Sequence, residues 1–168
     1  MEIILDKTTD TPLVHFAPGL LIIEGRSITE DVFGFWTPLQ KWVDNYITKP
    51  EPITRIEVGL EYTNSSSNKF ISQILRKATS IAELGHKIEV IWKYEDDDES
   101  ILQLGKDMES VCEVPFKYIE TDNIKQRTKK ITIRRKKNGE QFTISLRYWE
   151  AIQRNGHDQE YAVISEED

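Results

Sequence analysis

The residues with the clearest chemical potential are Asn64, Ser65, Ser66 and Ser67, which stand between a strand-like stretch and a helical pattern. Hydroxyl and amide groups at such a junction hydrogen-bond the free N–H groups of the first helical turn, so capping is one interpretation. Modification is the other, because those N–H groups and the helix dipole favour an anion at this end. A serine here would be well placed to carry a phosphoryl group, and the pattern alone leaves both interpretations open.

A second polar group, the acidic run Glu95–Glu99, follows the next strand along the chain. It is interpreted as a solvated helix start, as a magnesium site or as a partner contact. Five consecutive carboxylates cannot all converge on one ion, which argues against the metal site. If Ser65 and this acidic run lie at the same edge of the sheet, a phosphate of about −1.5 to −2 charge on Ser65 would make that already negative edge strongly repulsive. The candidates for partner contact are Asn64, Glu95, Asp97, Asp98 and Glu99.

Hydrophobic periodicity predicts the elements that must position these groups, in the order ββαβαβαβ with about three helices. This alternation is typical of an α/β fold with a mixed sheet. Two apolar runs around Pro18–Gly19 predict a hairpin, and later strands are expected at residues 55–62, 88–94 and 115–120.

Three helices are expected to connect those strands. Ser27–Glu30 has the spacing of a capping box before the first helix, which is expected to be interrupted near Thr37–Pro38. A second helix is predicted from about residue 66 to 84, closed by Gly85. Apolar positions from Ile101 to Cys112 predict the third.

The order of these elements predicts where the polar groups meet. Strands 55–62 and 88–94 are joined by a helix, so they should be parallel and end at one edge of the sheet. Ser65 and the acidic run therefore share that edge, where ligand and switch sites of α/β sheets are favoured. Arg26 follows a strand and precedes the first helix, so it is a further candidate for partner contact near this edge, with a simple surface charge as the alternative.

Composition and the remaining reactive residues point away from several classes of protein. The 168 residues carry 29 acidic and 22 basic side chains, and no stretch reaches the roughly 18 apolar residues of a membrane span. The N-terminus lacks the pattern of a signal peptide, so a cytoplasmic location is expected. His15, His86 and His157 lie far apart, and the lone Cys112 closes no disulfide. No enzyme, metal or cofactor site is therefore predicted.

The charge pattern predicts a separate C-terminal appendage at residues 121–168, with its seam at residues 121–130. Residues 121–150 hold nine basic against three acidic side chains. Asn138–Gly139 is a strong hairpin signal, and a turn centred there pairs Ile133 with Ile144 and Ile131 with Leu146. The apolar face of this ribbon should cover the main domain, another copy of the chain or a partner. Residues 165–168 are expected to be disordered.

The basic tip of this appendage supports an alternative function, a nucleic-acid-binding module. Arg134, Arg135, Lys136 and Lys137 would then contact phosphates. The acidic balance of the whole chain and the absence of an interleaved aromatic stripe argue against it, and a solvated turn is the plainer interpretation. Nucleic acid is therefore not an expected partner.

Residues 60–69 resemble the signature of the SiaC family of bacterial regulatory phosphoproteins, Tyr-x-Asn-Thr-Ser-Ser-Ser-Lys. Here the usual Thr is Ser65 and the third serine of the signature is Asn68. The resemblance covers about residues 11–120, and further landmarks appear in order. They are Thr11, Pro12, Val14, Phe16, Gly25, Arg26, Ser27, Pro38, Leu39, Trp42, Tyr46, Trp92, Tyr94, Glu95, Asp97, Asp98, Glu99, Pro115 and Phe116.

The resemblance implies a STAS-like fold and a partner-switching role for residues 11–120. It implies a Ser/Thr kinase that modifies the hydroxyl after the asparagine and a PP2C-type phosphatase that restores it. The unmodified form would bind and activate a diguanylate cyclase, and this points to cyclic-di-GMP signalling and biofilm regulation. The corresponding hydroxyl is that of Ser65, with Ser66 and Ser67 as alternatives.

Overall fold

The computed structural model describes residues 2–121, 130–154 and 156–167. The chain divides into two compact units, Met1–Lys125 and Gln126–Asp168. Most of the predicted seam, residues 122–129, lies outside the described residues. No helix in the described ranges is long and apolar enough to cross a membrane.

The first unit is a six-stranded mixed sheet in sequence order, which confirms the predicted α/β fold. Strands β1 to β3 are antiparallel neighbours, and β3 to β6 run parallel. The elements are β1 (Ile3–Leu5), β2 (Leu13–Ala17), β3 (Leu20–Ser27), α1 (Val32–Tyr46), β4 (Ile53–Thr63), α2 (Ser65–Thr79), β5 (Lys87–Tyr94), α3 (Glu99–Cys112) and β6 (Phe116–Glu120). A short 3₁₀ helix, Ser80–Leu84, extends α2 to the predicted Gly85 cap, where φ is +88°.

The main hydrophobic core lies between one face of this sheet and the three helices. Period-two alternation directs every second residue of β3, β4 and β5 to that face, and 3.6-residue periodicity directs one stripe of each helix onto it. Fully buried core residues include Trp36, Leu39, Ile56, Ile74 and Trp92. Because α1, α2 and α3 each follow one of the parallel strands β3, β4 and β5, all three helices begin at the edge where those strands end.

Gly105 shows how closely α3 packs on the sheet. Trp92 Nε1 donates a hydrogen bond to the carbonyl of Ile101 at 3.0 Å, which lays the indole against α3. A Cβ on Gly105 would lie 2.6 Å from Trp92 Nε1. Glycine is required here by this close approach.

Two predictions about α1 are wrong. The side chain that caps α1 is Asp31, whose Oδ1 accepts from Gly34 N at 2.9 Å, whereas Ser27 lies in β3. Pro38 lies inside a continuous helix and does not interrupt it. Proline has no backbone N–H, so α1 lacks one helical hydrogen bond at Pro38. This loss is outweighed because α1 packs a full apolar stripe against the sheet, and tertiary packing supplies most of a helix's stability.

The second unit is a three-stranded antiparallel sheet, order β8-β7-β9, with one helix. Its elements are β7 (Lys130–Arg135), β8 (Gln141–Ser145), α4 (Leu146–Arg154), a 3₁₀ helix (Asp158–Glu160) and β9 (Tyr161–Glu167). The prediction of disorder for residues 165–168 is wrong as far as Glu167, because β9 pairs with β7. Asp168 lies outside the described residues.

The predicted hairpin exists, but its predicted register is wrong. Ile131 stands opposite Ile144 and Ile133 opposite Phe142, whereas Leu146 begins α4. Residues 136–139 form the loop, which is closed by a hydrogen bond from Arg135 N to the Glu140 carbonyl at 2.8 Å. A turn centred one residue earlier than expected shifts every cross-strand pair by two.

A helix that the sequence prediction did not include packs on the hairpin. Helix α4 follows β8 directly and contacts β7 and β8. Ile131, Ile133 and Ile144 are buried, as are Tyr148, Trp149 and Ile152 of α4. The sequence prediction missed α4 because it placed Leu146 in the hairpin and assigned Tyr148, Trp149 and Ile152 to no element.

We predict that Gly105→Ala destabilises the first unit by about 1–3 kcal/mol, because the new Cβ would overlap the Trp92 indole. Helix propensity alone would predict a gain of about 1 kcal/mol. Urea unfolding followed by tryptophan fluorescence measures the change. Gly59→Ala is the matched control, since its Cβ would have ordinary contacts of 3.5 Å. Equal stability of Gly105→Ala and wild type would contradict the packing described.

Candidate functional site

Asn64 joins the end of β4, the end of β3 and the start of α2. Its Oδ1 accepts a hydrogen bond from Ser67 N at 2.8 Å, which caps α2. Its own N–H donates to the carbonyl of Ser27 at 3.2 Å. The capping interpretation of this segment is therefore correct for Asn64, which leaves the serine hydroxyls available for other roles.

The three serines differ in accessibility. Ser65 and Ser66 are exposed, whereas Ser67 is fully buried. The Ser67 hydroxyl has no hydrogen-bond partner among the described residues. In the folded chain an enzyme can therefore reach the hydroxyls of Ser65 and Ser66 but not that of Ser67.

Asn68, one of the departures from the family signature, has a local structural role. Thr63 Oγ1 donates a hydrogen bond to Asn68 Oδ1 at 2.7 Å. This contact ties the last residue of β4 to the first turn of α2, beside the Asn64 cap. It fixes the direction in which α2 leaves the sheet.

Arg26 lies at the same edge, as predicted. The register between β3 and β4 shifts after Gly25, and Arg26 stands opposite Tyr62. Its guanidinium lies 6.0 Å from the centroid of the Tyr62 ring, a cation–π contact. Arg26 is exposed and forms no ion pair with any described residue. The guanidinium therefore remains available for an anionic group.

The acidic run surrounds the start of α3. Asp98 caps this helix, with Oδ1 accepting from Ile101 N at 3.0 Å, and Glu99 is the first helical residue. Asp96, Asp97 and Glu99 are exposed. No group of three or more histidine, cysteine or acidic residues in the described ranges could hold a metal ion. The run thus forms a capped, negatively charged helix start.

An open groove of about 800 Å³ connects the starts of α2 and α3. Its lining includes Tyr62, Asn68, Asp98, Glu99, Leu104 and Asp107. The structure thus brings Asp98 and Glu99 next to the first turn of α2. Ser65, Glu95 and Asp97 are not lining residues of this groove.

Exposed aromatic residues at this edge were missed by the sequence analysis. Phe33, in the first turn of α1, is 75% exposed and contacts Phe70 of α2 edge-on, with 5.4 Å between ring centroids. Tyr62 is 59% exposed. The available signal was that Phe33 lies off the apolar stripe with which α1 packs on the sheet.

The basic tip of the second unit is partly engaged within that unit. The Arg135 guanidinium lies 5.3 Å from the Phe142 centroid and 5.6 Å from that of Tyr161. Lys136 Nζ donates to the carbonyl of Gln159 at 2.9 Å. These contacts add no support to the nucleic-acid alternative, since both cations serve internal interactions.

We predict that Asn64→Ala lowers the free energy of unfolding by about 1 kcal/mol, because the cap of α2 is lost. Asn64→Asp is the matched control and should remain within a few tenths of a kcal/mol of wild type, since aspartate caps equally well. Urea unfolding measures both. Equal losses in the two variants would mean that the side-chain cap is not what stabilises this junction.

A family model and a curated protein both match this chain. The model of the SiaC family regulatory phosphoprotein matches residues 5–121. An uncharacterised protein of Pseudomonas aeruginosa (strain UCBPP-PA14) is 23% identical over 111 residues, which cover 65% of this chain and 88% of that protein.

Solved structures show the same fold. Apo-SiaC from Pseudomonas aeruginosa has a TM-score of 0.63 at 21% identity, and the match covers 72% of this chain and 99% of that one. A chain in the crystal structure of the diguanylate cyclase SiaD in complex with its activator SiaC, from the same organism, has a TM-score of 0.65 at 21% identity, covering 71% and 99%. With its family signature at the start of α2, this chain belongs to the SiaC family of regulatory phosphoproteins.

Proposed function

We propose that this chain is a non-enzymatic signalling regulator that a phosphate on Ser65 switches between binding and releasing a partner enzyme. The observation that carries the proposal is the exposed Ser65 hydroxyl at the first residue of α2, within the segment that bears the family signature. Burial of Ser67 favours Ser65 and Ser66 as acceptors. Ser65 is preferred because it directly follows the capping asparagine, as the acceptor does in the signature.

The chemical step requires two partner enzymes. A Ser/Thr kinase would transfer the terminal phosphoryl group of a nucleoside triphosphate to the Ser65 oxygen: the new O–P bond forms, the bond to the nucleoside diphosphate breaks and the hydroxyl proton leaves. A PP2C-type phosphatase would reverse the modification with water, releasing inorganic phosphate. The chain itself supplies only the acceptor hydroxyl.

The edge around Ser65 has the properties that a charge-controlled contact needs. Exposed Phe33 and Tyr62 offer apolar area, and Arg26 offers a cation. A phosphate adds about −1.5 to −2 charge next to the acidic start of α3. Burying that charge in a contact carries a large desolvation cost, so the modified edge would exclude a partner that the unmodified edge binds. We assign partner contact to Asn64, Arg26, Glu95, Asp97, Asp98 and Glu99.

The partner that we propose is a diguanylate cyclase. SiaC of Pseudomonas aeruginosa forms a complex with the diguanylate cyclase SiaD as its activator, and this chain has the same fold. The unmodified chain would bind the cyclase and place it under the control of the kinase and phosphatase. Cyclic-di-GMP output and biofilm regulation would then depend on the state of Ser65.

We predict that treatment with the cognate kinase adds one phosphate to Ser65. Intact-mass analysis detects the added group, and fragmentation identifies the residue. Ser65→Ala should abolish the modification, whereas Ser66→Ala, the matched control one residue away, should retain it. Unmodified wild-type protein after kinase treatment would refute the proposed switch, and loss only in Ser66→Ala would move the acceptor by one residue.

We further predict that phosphorylated protein binds the cognate cyclase at least about tenfold more weakly than unmodified protein, a difference of about 1.4 kcal/mol. Calorimetry on wild type, Ser65→Ala, Ser65→Asp and the phosphorylated chain measures this. Ser65→Ala should bind like wild type, and Ser65→Asp should be weakened only in part because aspartate carries a smaller charge. Equal affinity of all four forms would contradict the switch.

A further inference from the structure

The register shift between β3 and β4 gives Arg26 an unusual direction. Up to Gly25, which stands opposite Leu60, alternate residues of β3 face the helical core. Arg26 then stands opposite Tyr62, so that Glu61 is skipped. The Arg26 guanidinium lies over the Tyr62 ring, and Tyr62 lines a groove with residues of α2 and α3, so Arg26 lies on the side of the sheet from which the helices begin. A φ of +113° at Gly25 is open to glycine and permits the shift.

This direction brings Arg26 close to the proposed acceptor. The Asn64 N–H donates to the Ser27 carbonyl at 3.2 Å, and Ser65 and Arg26 are each one residue from that hydrogen bond. The Ser27 and Ser67 hydroxyls at the same junction are fully buried and have no hydrogen-bond partner in the described part of the chain. A long, exposed cation thus borders a polar junction where an anion would lie.

We infer that Arg26 binds a phosphate on Ser65 within the same chain. The Arg26 guanidinium would leave the Tyr62 ring and form an ion pair with the phosphoryl oxygens. The inference rests on the proposed modification of Ser65. A guanidinium binds a phosphate through two parallel, charge-assisted hydrogen bonds, which are stronger than an exposed cation–π contact. Phosphorylation would therefore both add an anion to the edge and withdraw the cation that an acidic group of a partner would use.

Two other groups also act on a phosphate at Ser65. Lys69 is exposed and lies four residues further along α2, on the same helix face. The N-terminal dipole of α2 also favours an anion. Lys69 and the helix dipole would act on the phosphate without Arg26, so the test must separate these three contributions.

The test uses the full chain with phosphoserine installed at position 65 during expression, and phosphorus NMR follows the second deprotonation of the phosphate. Because a nearby cation favours the dianion, the acid dissociation constant of wild type should exceed that of Arg26→Gln by about tenfold. Arg26→Lys should restore part of the difference, since lysine offers a point charge without the bidentate fork.

Arg76→Gln is the matched control, because Arg76 is exposed and lies roughly 16 Å from Ser65 along α2. It should titrate like wild type. Lys69→Gln should have a smaller effect than Arg26→Gln, since it removes only a point charge. The inference would be overturned if the phosphate of Arg26→Gln had the same acid dissociation constant as that of the Arg76→Gln control. It would also be overturned if Lys69→Gln alone removed the whole tenfold difference.

These outcomes are distinct from failure of the proposed function. The phosphoserine is installed without a kinase, so the titration reports on Arg26 even if no kinase modifies Ser65. A bare Ser65 after kinase treatment would overturn the switch, whereas an unchanged titration in Arg26→Gln would overturn only the role of Arg26.

Discussion

The hydrogen bonds of Asn64 are the constraint on which the candidate site depends. Its side chain caps α2, and its backbone N–H is bonded to the end of β3. One residue therefore satisfies a helix terminus and fixes that terminus against the neighbouring strand. Because the cap is supplied by the amide of Asn64, the adjacent Ser65 hydroxyl is exposed and is not needed for stability of the helix start.

The register of the parallel strands determines which side chains surround that hydroxyl. A buried ion cluster spans β3, β4 and β5: Lys93 Nζ lies 2.7 Å from a Glu24 carboxylate oxygen and 2.8 Å from one of Glu57. Gly59 of β4 stands opposite both Glu24 and Lys93, so the two charged side chains meet across β4. Breaking such a pair leaves a buried charge uncompensated, so a slipped register would be costly. The strand ends at the site are therefore held in fixed positions.

The second unit uses its charge in a different way. Arg135 lies over two aromatic rings, and its hydrogen bond to Tyr161 joins β7 to β9. This hydrogen bond and the charge of that neighbour raise the pKa of the guanidinium, which remains charged. A basic run that looks like a binding surface in the sequence is thus partly a structural element of its own sheet.

Much of the first unit was predictable from the sequence because its signals are local. Alternation predicted β4 and β5, capping residues and Gly85 predicted the limits of α2, and the parallel connection placed Ser65 and the acidic run at one edge. The errors arose where distant contacts decide. Pro38 is tolerated because α1 packs on the sheet, and the tail forms β9 because β7 offers an open edge.

The local order of the residues therefore determined the fold class and the position of the serines, since both follow from periodicity and from the needs of helix ends. Only the tertiary structure decided which serine is buried, which aromatic residues are exposed beside it and where Arg26 points. Those properties depend on the packing of α2 against its neighbours and on a one-residue shift between two strands, and neither is encoded in spacing along the chain.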